Sequence, residues 1–312
     1  MLDSCGREVR AMRLAVTEAC DLRCRYCMPA GEPPRALAPL SRDELAAIAA
    51  AAAQCGINKI RLTGGEPLIR LDIVSICEAI GAIPGIRSLC LTTNGTRLAG
   101  LAKPLRQAGV ARVNLSLDSL RAPRYAQLTR GGNLADVTAG LRAALEAGFE
   151  RVKINCVLIG GVNDDEIADF VALTLAMPAD VRFIELMPMG ECLRWPKERF
   201  VSADKVLDTC PELAPTDTEG VARRYRLPGA KGAVGLIQPM SHAFCGDCDR
   251  IRVTADGMLK PCLHSGAELN LRGLTGRALV DRIAEGIGAK PPAHHLLDAG
   301  SETERRMNRI GG

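Results

Sequence analysis

The sequence predicts an α/β protein in which a partial (βα)6 TIM-type barrel precedes a smaller C-terminal region that carries a second cysteine cluster. The first observation is a repeated pattern of a helix, a glycine, an apolar residue and a strand, at Gly56-Ile57, Gly109-Val110 and Gly148-Phe149, with a looser copy at Gly85-Ile86. The second is the alternation of strands and helices, which implies a parallel sheet with right-handed crossovers. Six such units are too few to close a TIM barrel, so we expect an open one.

The six predicted strands lie at 12–16, 59–63, 88–93, 112–116, 152–157 and 181–186. Ser41 and Glu44 form a capping-box pattern that begins the helix between the first two strands, and Gly56 ends that helix. The alternation breaks down after Trp195. We therefore predict a barrel domain over 1–198 and a C-terminal cluster and substrate-binding region over 199–312.

Composition excludes several classes of protein. With 312 residues, 47% of them hydrophobic, the chain can build a sizeable core, so it is not disordered. A net charge of +4 is too small to indicate nucleic-acid binding. No apolar run approaches the roughly 20 residues that span a bilayer. Thirteen cysteines without an export signal predict a cytoplasmic protein whose reduced thiols serve as metal ligands.

The first cysteine triplet, Cys20, Cys24 and Cys27, follows the first strand with C-x3-C-x2-C spacing. Three thiolates hold three irons of a 4Fe-4S cluster and leave the fourth iron open to a small molecule. One alternative is a structural zinc ion, which requires a fourth ligand, and the nearest candidates in sequence are Cys5 and Cys55. The other is a redox-active disulfide pair, which would leave one of the three thiols unpaired.

Polar residues of the second strand form a candidate anion site. Lys59, Arg61 and Thr63 alternate with apolar residues and share one face, along which a phosphate chain fits. A solvated face of an edge strand explains the same alternation. The strand is followed by Gly64-Gly65-Glu66-Pro67, where glycines let the backbone approach a ligand closely.

Later strands add further polar residues, because a barrel collects its chemistry at the carboxyl ends of its strands. Thr92 and Ser116 end the third and fourth strands, and Lys153 lies on the fifth. Arg182 and Met187 belong to opposite faces of the sixth strand by alternation, so one of them must lie beyond it.

The pattern of the C-terminal region predicts antiparallel strands at 222–227 and 233–238, which are followed by a second triplet formed by Cys245, Cys248 and Cys262. Asp256-Gly257 predicts a two-residue hairpin that pairs Ile251 with Cys262. Arg250, Arg252 and Thr254 then share one face and offer a site for a phosphate or a purine. A zinc ribbon with His264 or His242 as fourth ligand is the alternative.

Residues 20–27, with Tyr26 before the last cysteine, resemble the signature of the radical S-adenosylmethionine enzymes. Gly64-Gly65-Glu66-Pro67 resembles the motif with which that family holds the amino group of the cofactor. The two triplets together resemble the family of GTP 3′,8-cyclases of molybdenum cofactor biosynthesis, and the likeness covers nearly the whole chain. Asp21 stands where that family usually has Asn, and Cys5 where it has an aromatic residue.

The resemblance implies a role for each matching residue. The ligands of two 4Fe-4S clusters would be Cys20, Cys24 and Cys27, and Cys245, Cys248 and Cys262. The S-adenosylmethionine contacts would be Tyr26, Gly65, Glu66, Ser116 and Met187. GTP would be held by Arg13, Lys59, Arg61, Thr63, Thr92, Lys153, Arg182, Arg250 and Arg252. Catalytic roles would fall to Arg13, Arg250, Arg252 and the terminal Gly311 and Gly312, which reach the active site in the family.

The reaction implied by the resemblance is conversion of GTP to (8S)-3′,8-cyclo-7,8-dihydro-GTP, through a 5′-deoxyadenosyl radical that takes the hydrogen from C3′ of the ribose. The implied partners are an electron donor such as flavodoxin or ferredoxin, cyclic pyranopterin monophosphate synthase as the next enzyme, and a second copy in a homodimer. Nucleic acid and membrane are not expected. Two alternatives stay open: another two-cluster radical S-adenosylmethionine enzyme, and a non-catalytic zinc-binding module.

Overall fold

A computed structural model describes residues 1–31, 38–294, 296 and 300–311. Its strands, β1 to β12 in chain order, are Ala11–Ala15, Lys59–Thr63, Ser88–Thr93, Val110–Ser116, Arg151–Leu158, Ala179–Glu185, Ala214–Glu219, Ala222–Arg226, Val234–Ile237, Arg250–Val253, Met258–Lys260 and Leu269–Asn270. Its helices, α1 to α8, are Arg42–Gln54, Ile73–Gly81, Leu98–Gln107, Ala122–Thr129, Leu134–Glu146, Ile167–Ala176, Lys205–Thr209 and Gly276–Gly288.

All strands belong to one open sheet with the order β12-β11-β10-β1-β2-β3-β4-β5-β6-β9-β8-β7. The strands β1 to β6 are parallel neighbours in sequence order, as a chain of βα units requires. All six predicted barrel strands are present, with bounds within two residues of the prediction. The sheet continues across the predicted boundary at 198/199, so the division into two domains stays a prediction.

The alternation of side chains separates an apolar outer face of the sheet from a polar inner face. On β2, Ile60 and Leu62 are fully buried and belong to the hydrophobic core, while Lys59, Arg61 and Thr63 face the other way. Because β2 lies between β1 and β3, its polar side chains do not belong to an edge strand. The alternative of a solvated edge-strand face is therefore wrong.

Helix α1 begins as the sequence predicts. The Ser41 hydroxyl accepts a hydrogen bond from the Glu44 N–H at 3.2 Å, and the Glu44 carboxylate accepts one from the Ser41 N–H at 2.8 Å. Such a cap contributes about 1 kcal/mol to helix stability. Leu45 and Ile48 then bury the apolar stripe against the sheet, and Gly56 ends the unit with φ +87°.

Two C-terminal strands extend the parallel sheet in a way that the sequence pattern did not predict. The predicted antiparallel pairing of β8 with β9 is confirmed, but β9 also pairs in parallel with β6. At the other end, β10 pairs in parallel with β1. The second triplet is thereby attached to the same sheet as the first, which follows β1.

The β10–β11 hairpin corrects the predicted register. The structure pairs Arg252 with Lys260, and not Ile251 with Cys262, so the register differs by one residue. Thr254 donates its backbone N–H to Met258 at 2.9 Å, which leaves a three-residue loop. Gly257, with φ +89°, is the left-handed last residue of that loop and not part of a two-residue turn.

Within the described ranges, no helix combines the length and the apolar character needed to cross a bilayer.

Gly140 on α5 gives a stability prediction. A Cβ there would lie 2.4 Å from the Gly95 carbonyl oxygen. We expect Gly140→Ala to lower the free energy of unfolding by about 1–3 kcal/mol, because a close-packed backbone contact cannot relax freely. In the control Gly100→Ala on α3, the new Cβ would meet nothing within 4 Å, and we expect a small gain of about 0.5–1 kcal/mol. Thermal unfolding of both variants measures the difference, and equal midpoints would contradict the packing argument.

Candidate active site

Both cysteine triplets line one cavity of about 310 Å³ at the carboxyl ends of the parallel strands. Its wall includes all six predicted cluster ligands: Cys20, Cys24, Cys27, Cys245, Cys248 and Cys262. Arg13 of β1 and Arg250 and Arg252 of the neighbouring strand β10 also line it. The sheet therefore brings together two thiol groups that are more than 200 residues apart in sequence.

The first triplet lies in the loop after β1. Its local fold is a turn in which the N–H groups of Cys27 and Met28 both donate to the Cys24 carbonyl oxygen at 3.0 Å. Burial raises the pKa of the Cys20 and Cys27 thiols to about 12. Such thiols become thiolates when a metal ion supplies the compensating positive charge.

The second triplet has a different electrostatic environment. Although burial alone would raise its pKa, the Cys248 thiol has a pKa of about 7, because the charges of Arg250 and Lys290 outweigh desolvation. Lys290 is buried, and its Nζ donates to Cys248 Sγ at 3.3 Å and to the Arg250 carbonyl oxygen at 3.0 Å. Sequence reasoning missed Lys290, since nothing in the local pattern links it to a thiol 42 residues earlier.

The two histidines proposed as zinc ligands lie in different places. His264 lines the cavity, where its Nδ1 is 3.4 Å from the Ser301 hydroxyl and burial lowers its pKa to about 4. His242 is exposed and its Nε2 lies 3.2 Å from Asp204. Across the described ranges, no three His, Cys, Asp or Glu side chains are grouped closely enough to hold a single metal ion. The three thiols of each triplet are a donor set that fits a 4Fe-4S cluster.

The Gly64-Gly65 turn packs directly on the first cysteine loop. The Gly65 N–H donates to the Thr17 carbonyl oxygen at 2.8 Å, and the Glu66 N–H to the Ala19 carbonyl oxygen at 2.8 Å. A Cβ on Gly65 would lie 2.2 Å from the Ala19 oxygen, so the position requires glycine. Both glycines line the cavity and leave backbone accessible to a ligand.

Glu66 is buried beneath this turn and is fully engaged in hydrogen bonds. It accepts from the Leu68 N–H at 2.9 Å, the Thr93 hydroxyl at 2.7 Å and the Asn94 N–H at 2.6 Å. Burial raises its pKa to about 7 even though these hydrogen bonds favour the charged form. The carboxylate therefore joins the ends of β2 and β3, and its predicted contact with a cofactor stays a prediction.

Asp118 is a second buried carboxylate that sequence reasoning did not assign. The Tyr26 hydroxyl donates to Asp118 at 2.7 Å, and the Val157 N–H donates to its other oxygen at 2.9 Å. Burial raises its pKa to about 6. Asp118 follows Ser116, the last residue of β4, by two residues. A polar residue just beyond the carboxyl end of a barrel strand is a pattern from which a role in the site could have been predicted. Through Asp118, the aromatic residue of the first cysteine loop is fixed to β4 and β5.

The inner face of the sheet carries a row of arginines, here called the arginine row: Arg252, Arg13, Arg61, Arg112 and Arg151. Strand register places Arg13 beside both Arg252 and Arg61, and Arg112 beside Arg151, with Cys90 between the two groups. The pKa of Arg13 is lowered first by burial and then by the charges of Arg252, Arg250 and Arg61. In the described part of the chain, Arg61 Nη1 is buried without a hydrogen-bond partner. The row is thus suited to an anion.

The C-terminal segment reaches the arginine row. Arg252 Nη1 donates to the Gly311 carbonyl oxygen at 2.6 Å and to that of Ile310 at 3.3 Å. Gly311 has φ +68°, and a Cβ there would lie 2.6 Å from Thr63 Cγ2. Arg305 anchors the segment through Glu268 at 2.6 Å and Asp256 at 2.9 Å. Gly312, predicted to be catalytic, lies outside the described residues.

The other predicted residues divide into two groups. The cavity wall includes Arg13, Tyr26, Thr63, Gly65, Glu66, Thr92, Ser116, Met187, Arg250 and Arg252. Lys59, Arg61, Lys153, Arg182 and Gly311 are not part of that wall. Lys59, Arg61, Lys153 and Arg182 lie nearer the amino ends of β2, β5 and β6. Since β6 ends at Glu185, Met187 is the residue that lies beyond the strand, as predicted.

Comparison with known proteins gives matches over nearly the whole chain. A family model described as the radical SAM superfamily matches residues 14–174, and one described as Molybdenum Cofactor Synthesis C matches residues 179–296. Proteins named GTP 3′,8-cyclase from Alkaliphilus oremlandii, Alkaliphilus metalliredigens and Pelotomaculum thermopropionicum are 44%, 46% and 45% identical, each over 100% of both chains.

Solved structures of low sequence identity share the fold. Streptococcus suis SuiB bound to precursor peptide SuiA has a TM-score of 0.64 at 16% identity, covering 88% of this chain and 64% of that one. Native anSMEcpe with bound AdoMet has a TM-score of 0.59 at 15% identity, covering 88% and 82%. The predicted partial barrel is confirmed.

The contrast between the two triplets gives a prediction for the metal-free protein. Cys248 should react with iodoacetamide with an apparent pKa of about 7, because the thiolate is the nucleophile and forms as the pH rises through that value. Cys20 and Cys27, whose pKa is about 12, should react slowly over the same range. Lys290→Met should move the Cys248 profile to higher pH, since it removes the neighbouring cation.

Peptide mapping by mass spectrometry after timed alkylation identifies each modified cysteine. Lys231→Met is the matched control, because the Lys231 Nζ donates to the Ala176 carbonyl oxygen at 3.0 Å on an exposed surface. A Cys248 profile that is the same in both lysine variants would contradict the assigned role of Lys290.

Proposed function

We infer that the chain, which belongs to the radical S-adenosylmethionine superfamily and within it to the GTP 3′,8-cyclase family, converts GTP to (8S)-3′,8-cyclo-7,8-dihydro-GTP. This radical lyase reaction is the first step of molybdopterin cofactor biosynthesis. The observation that carries the inference is the single cavity on which two cysteine triplets and three arginines meet. Two 4Fe-4S clusters and S-adenosylmethionine are the cofactors.

For the first cluster, we propose Cys20, Cys24 and Cys27 as ligands, with Tyr26, Gly65, Glu66, Ser116 and Met187 around S-adenosylmethionine. When bound, this pair supplies a 5′-deoxyadenosyl radical. The chain's own contribution is placement, because the Gly65 backbone lies open to the cavity and the Tyr26–Asp118 hydrogen bond fixes the cysteine loop. The apolar residues Leu186 and Met189 on the same wall limit access of water to a radical.

For the second cluster, we propose Cys245, Cys248 and Cys262, which line the same cavity as the first triplet. Arg13, Arg250 and Arg252 also line that cavity, and we propose that they hold the purine and the ribose. Thr63 and Thr92 add hydroxyl groups at the ends of β2 and β3. We propose that these side chains hold the nucleoside so that C3′ of the ribose faces S-adenosylmethionine.

Lys59, Arg61, Lys153 and Arg182 are proposed to hold the triphosphate. They lie on the same inner face as the cavity residues, two to four residues nearer the amino ends of their strands, which is about 7–13 Å at the strand rise. The buried Arg61 Nη1, which has no hydrogen-bond partner in the described part of the chain, supports an anion at this depth. A nucleotide then extends from the cavity along the arginine row.

We propose catalytic roles for Arg13, Arg250, Arg252, Gly311 and Gly312. Arg252 links the arginines of this set to the C-terminal glycines. Its guanidinium lines the cavity and also donates a hydrogen bond to the Gly311 carbonyl oxygen. Burial lowers the pKa of Arg252 to about 10, so it stays cationic at neutral pH. Its position lets it stabilise negative charge on the nucleotide while it fixes the C-terminal segment.

The partners and the cellular location are proposed from membership of the family. We propose an electron donor such as flavodoxin or ferredoxin, cyclic pyranopterin monophosphate synthase as the enzyme that uses the product, a homodimer, and a cytoplasmic location. The proposed domains are a barrel over 1–198 and a C-terminal cluster and substrate-binding region over 199–312. The cytoplasmic location is supported by thirteen cysteines with no disulfide among the described residues.

Anaerobic reconstitution tests the cofactors and the reaction together. We expect about four irons for each triplet, and about half the total in Cys24→Ala or Cys248→Ala. With S-adenosylmethionine and a reductant, the wild type should form 5′-deoxyadenosine in a GTP-dependent manner, and Cys24→Ala should form none. Stoichiometric zinc without visible absorbance, or 5′-deoxyadenosine formation that is indifferent to GTP, would contradict the proposal.

Removal of Gly311 and Gly312 tests the C-terminal segment. We expect the truncated enzyme to lose cyclised product while it keeps the iron content of the wild type, because the ligands lie elsewhere. Gly311→Ala should lower turnover at least about tenfold, since its positive φ and its contact with Thr63 exclude a side chain. Gly266→Ala is the control, because its Cβ would come no nearer than 3.4 Å to another atom. Undiminished product formation by the truncated enzyme would refute the assignment.

A further inference from the structure

Glu219 occupies the deep basic part of the inner face. It is the last residue of β7, at the tip of the β7–β8 hairpin, where it pairs in register with Ala222. Its carboxylate is ion-paired with four cationic side chains: Lys153 Nζ at 2.5 Å, Arg151 Nη1 at 3.2 Å, Arg182 Nη2 at 3.4 Å and Arg112 Nη1 at 3.6 Å.

Glu219 is the residue of this group whose charged form is most strongly favoured. Burial alone would raise the pKa of Glu219, but the hydrogen bond and charge of Lys153, with Arg182 and Arg151, lower it to about 2. The pKa of Lys153 is lowered to about 7 by burial and by the Arg182 charge. The low pKa of Glu219 reports a positive local potential, whereas the low pKa of Lys153 is due first to burial.

Two of the four cations that pair with Glu219 are also proposed to bind the nucleotide. Lys153 and Arg182 are the residues of β5 and β6 that are proposed to hold the triphosphate. A carboxylate at 2.5 Å from Lys153 Nζ occupies the space that a phosphate oxygen needs for the same contact. Carboxylate and phosphate at this position would also repel each other, so they cannot both be bound in their best geometry.

The hairpin that carries Glu219 is weakly held. β7 is the last strand of the sheet, and its residues before Glu219 are all exposed. Gly220, with φ +63°, follows at the turn. Few buried contacts oppose a movement of the tip, so withdrawal of the carboxylate requires mainly that its ion pairs be replaced.

Resting on the proposed function, we propose that Glu219 is a built-in counter-anion of the phosphate site, which the nucleotide must displace, and that it sets the selectivity for a triphosphate. A terminal phosphate carries about −1.5 to −2 charges and three oxygens, so it outcompetes one carboxylate for the same cations. A monophosphate held in the cavity ends about 7–13 Å short of Lys153 and Arg182 and leaves Glu219 in place. The nucleoside triphosphate therefore binds better than its shorter analogues, because its terminal phosphate extends to Lys153 and Arg182 and carries more negative charge than Glu219.

The test is the affinity of the reconstituted full-length holoenzyme for GTP, GDP, GMP and guanosine, measured by anaerobic calorimetry without reductant. We expect Glu219→Gln to bind GTP about tenfold more tightly than the wild type, because the nucleotide no longer has to displace a carboxylate from Lys153 and Arg182. A tenfold change corresponds to about 1.4 kcal/mol. The gain should be smaller for GDP and absent for GMP and guanosine.

Asp217→Asn is the matched control. It removes one negative charge from the same strand, but Asp217 is exposed and pairs with Arg224 at 3.0 Å. We expect its GTP affinity to stay within about twofold of the wild type. Glu219→Asp serves as a second variant if Glu219→Gln does not fold, and it should give a smaller gain for GTP because its carboxylate is one methylene shorter.

The outcomes separate the two proposals. Equal or weaker GTP binding by both Glu219 variants, with normal GTP binding by the wild type, would overturn the role of Glu219 and leave the proposed function standing. A gain of equal size for GTP and guanosine would also overturn it, because that result reports a change in the cavity and not in the phosphate site. Failure of the wild type to bind GTP at all would contradict the proposed function itself.

Discussion

Repulsion within the arginine row is the constraint on which the rest of the site depends. Register places Arg13 between Arg252 and Arg61 on one face, and like charges on neighbouring strands destabilise a sheet unless an anion lies nearby. Oxygen atoms of the chain itself offset part of this charge. The Gly311 carbonyl oxygen accepts from Arg252, and Glu219 pairs with Arg112 and Arg182. The protein therefore keeps a positive site partly neutralised by its own chain.

The C-terminal region completes this arrangement because its strands join the parallel sheet at both ends. Strand β10 beside β1 carries Arg252 into the row, and β9 beside β6 brings the β7–β8 hairpin, with Glu219, against β5 and β6. A separate domain held by a linker would not fix these side chains to a fraction of an ångström. Sheet hydrogen bonds do so, which preorganises the site.

Sequence periodicity predicted the parts of the fold that are set locally. The capping box at Ser41 and the six strands follow from hydrogen bonding and side-chain alternation within a few residues, and both are observed. The register of the β10–β11 hairpin was predicted wrongly, because Asp256-Gly257 is compatible with two-residue and three-residue loops. Lys290 and Glu219 were not predicted at all. Their roles come from contacts across 42 and 66 residues, which a local pattern does not encode.

The pKa values of the cysteine thiols differ between the two triplets because the neighbouring side chains carry different charges. The first is buried among neutral groups and carboxylates, with Asp118 and Glu66 close by, so its thiols hold their protons strongly. The second lies beside Arg250 and Lys290, so Cys248 is half ionised near neutrality. Since a metal site forms only from thiolates, assembly of the first site must remove the protons that Cys20 and Cys27 hold at neutral pH, whereas Cys248 is already partly ionised. Arg250 and Lys290 thus supply positive charge to sulfur at the second triplet, and the first triplet depends on the bound metal for the same effect.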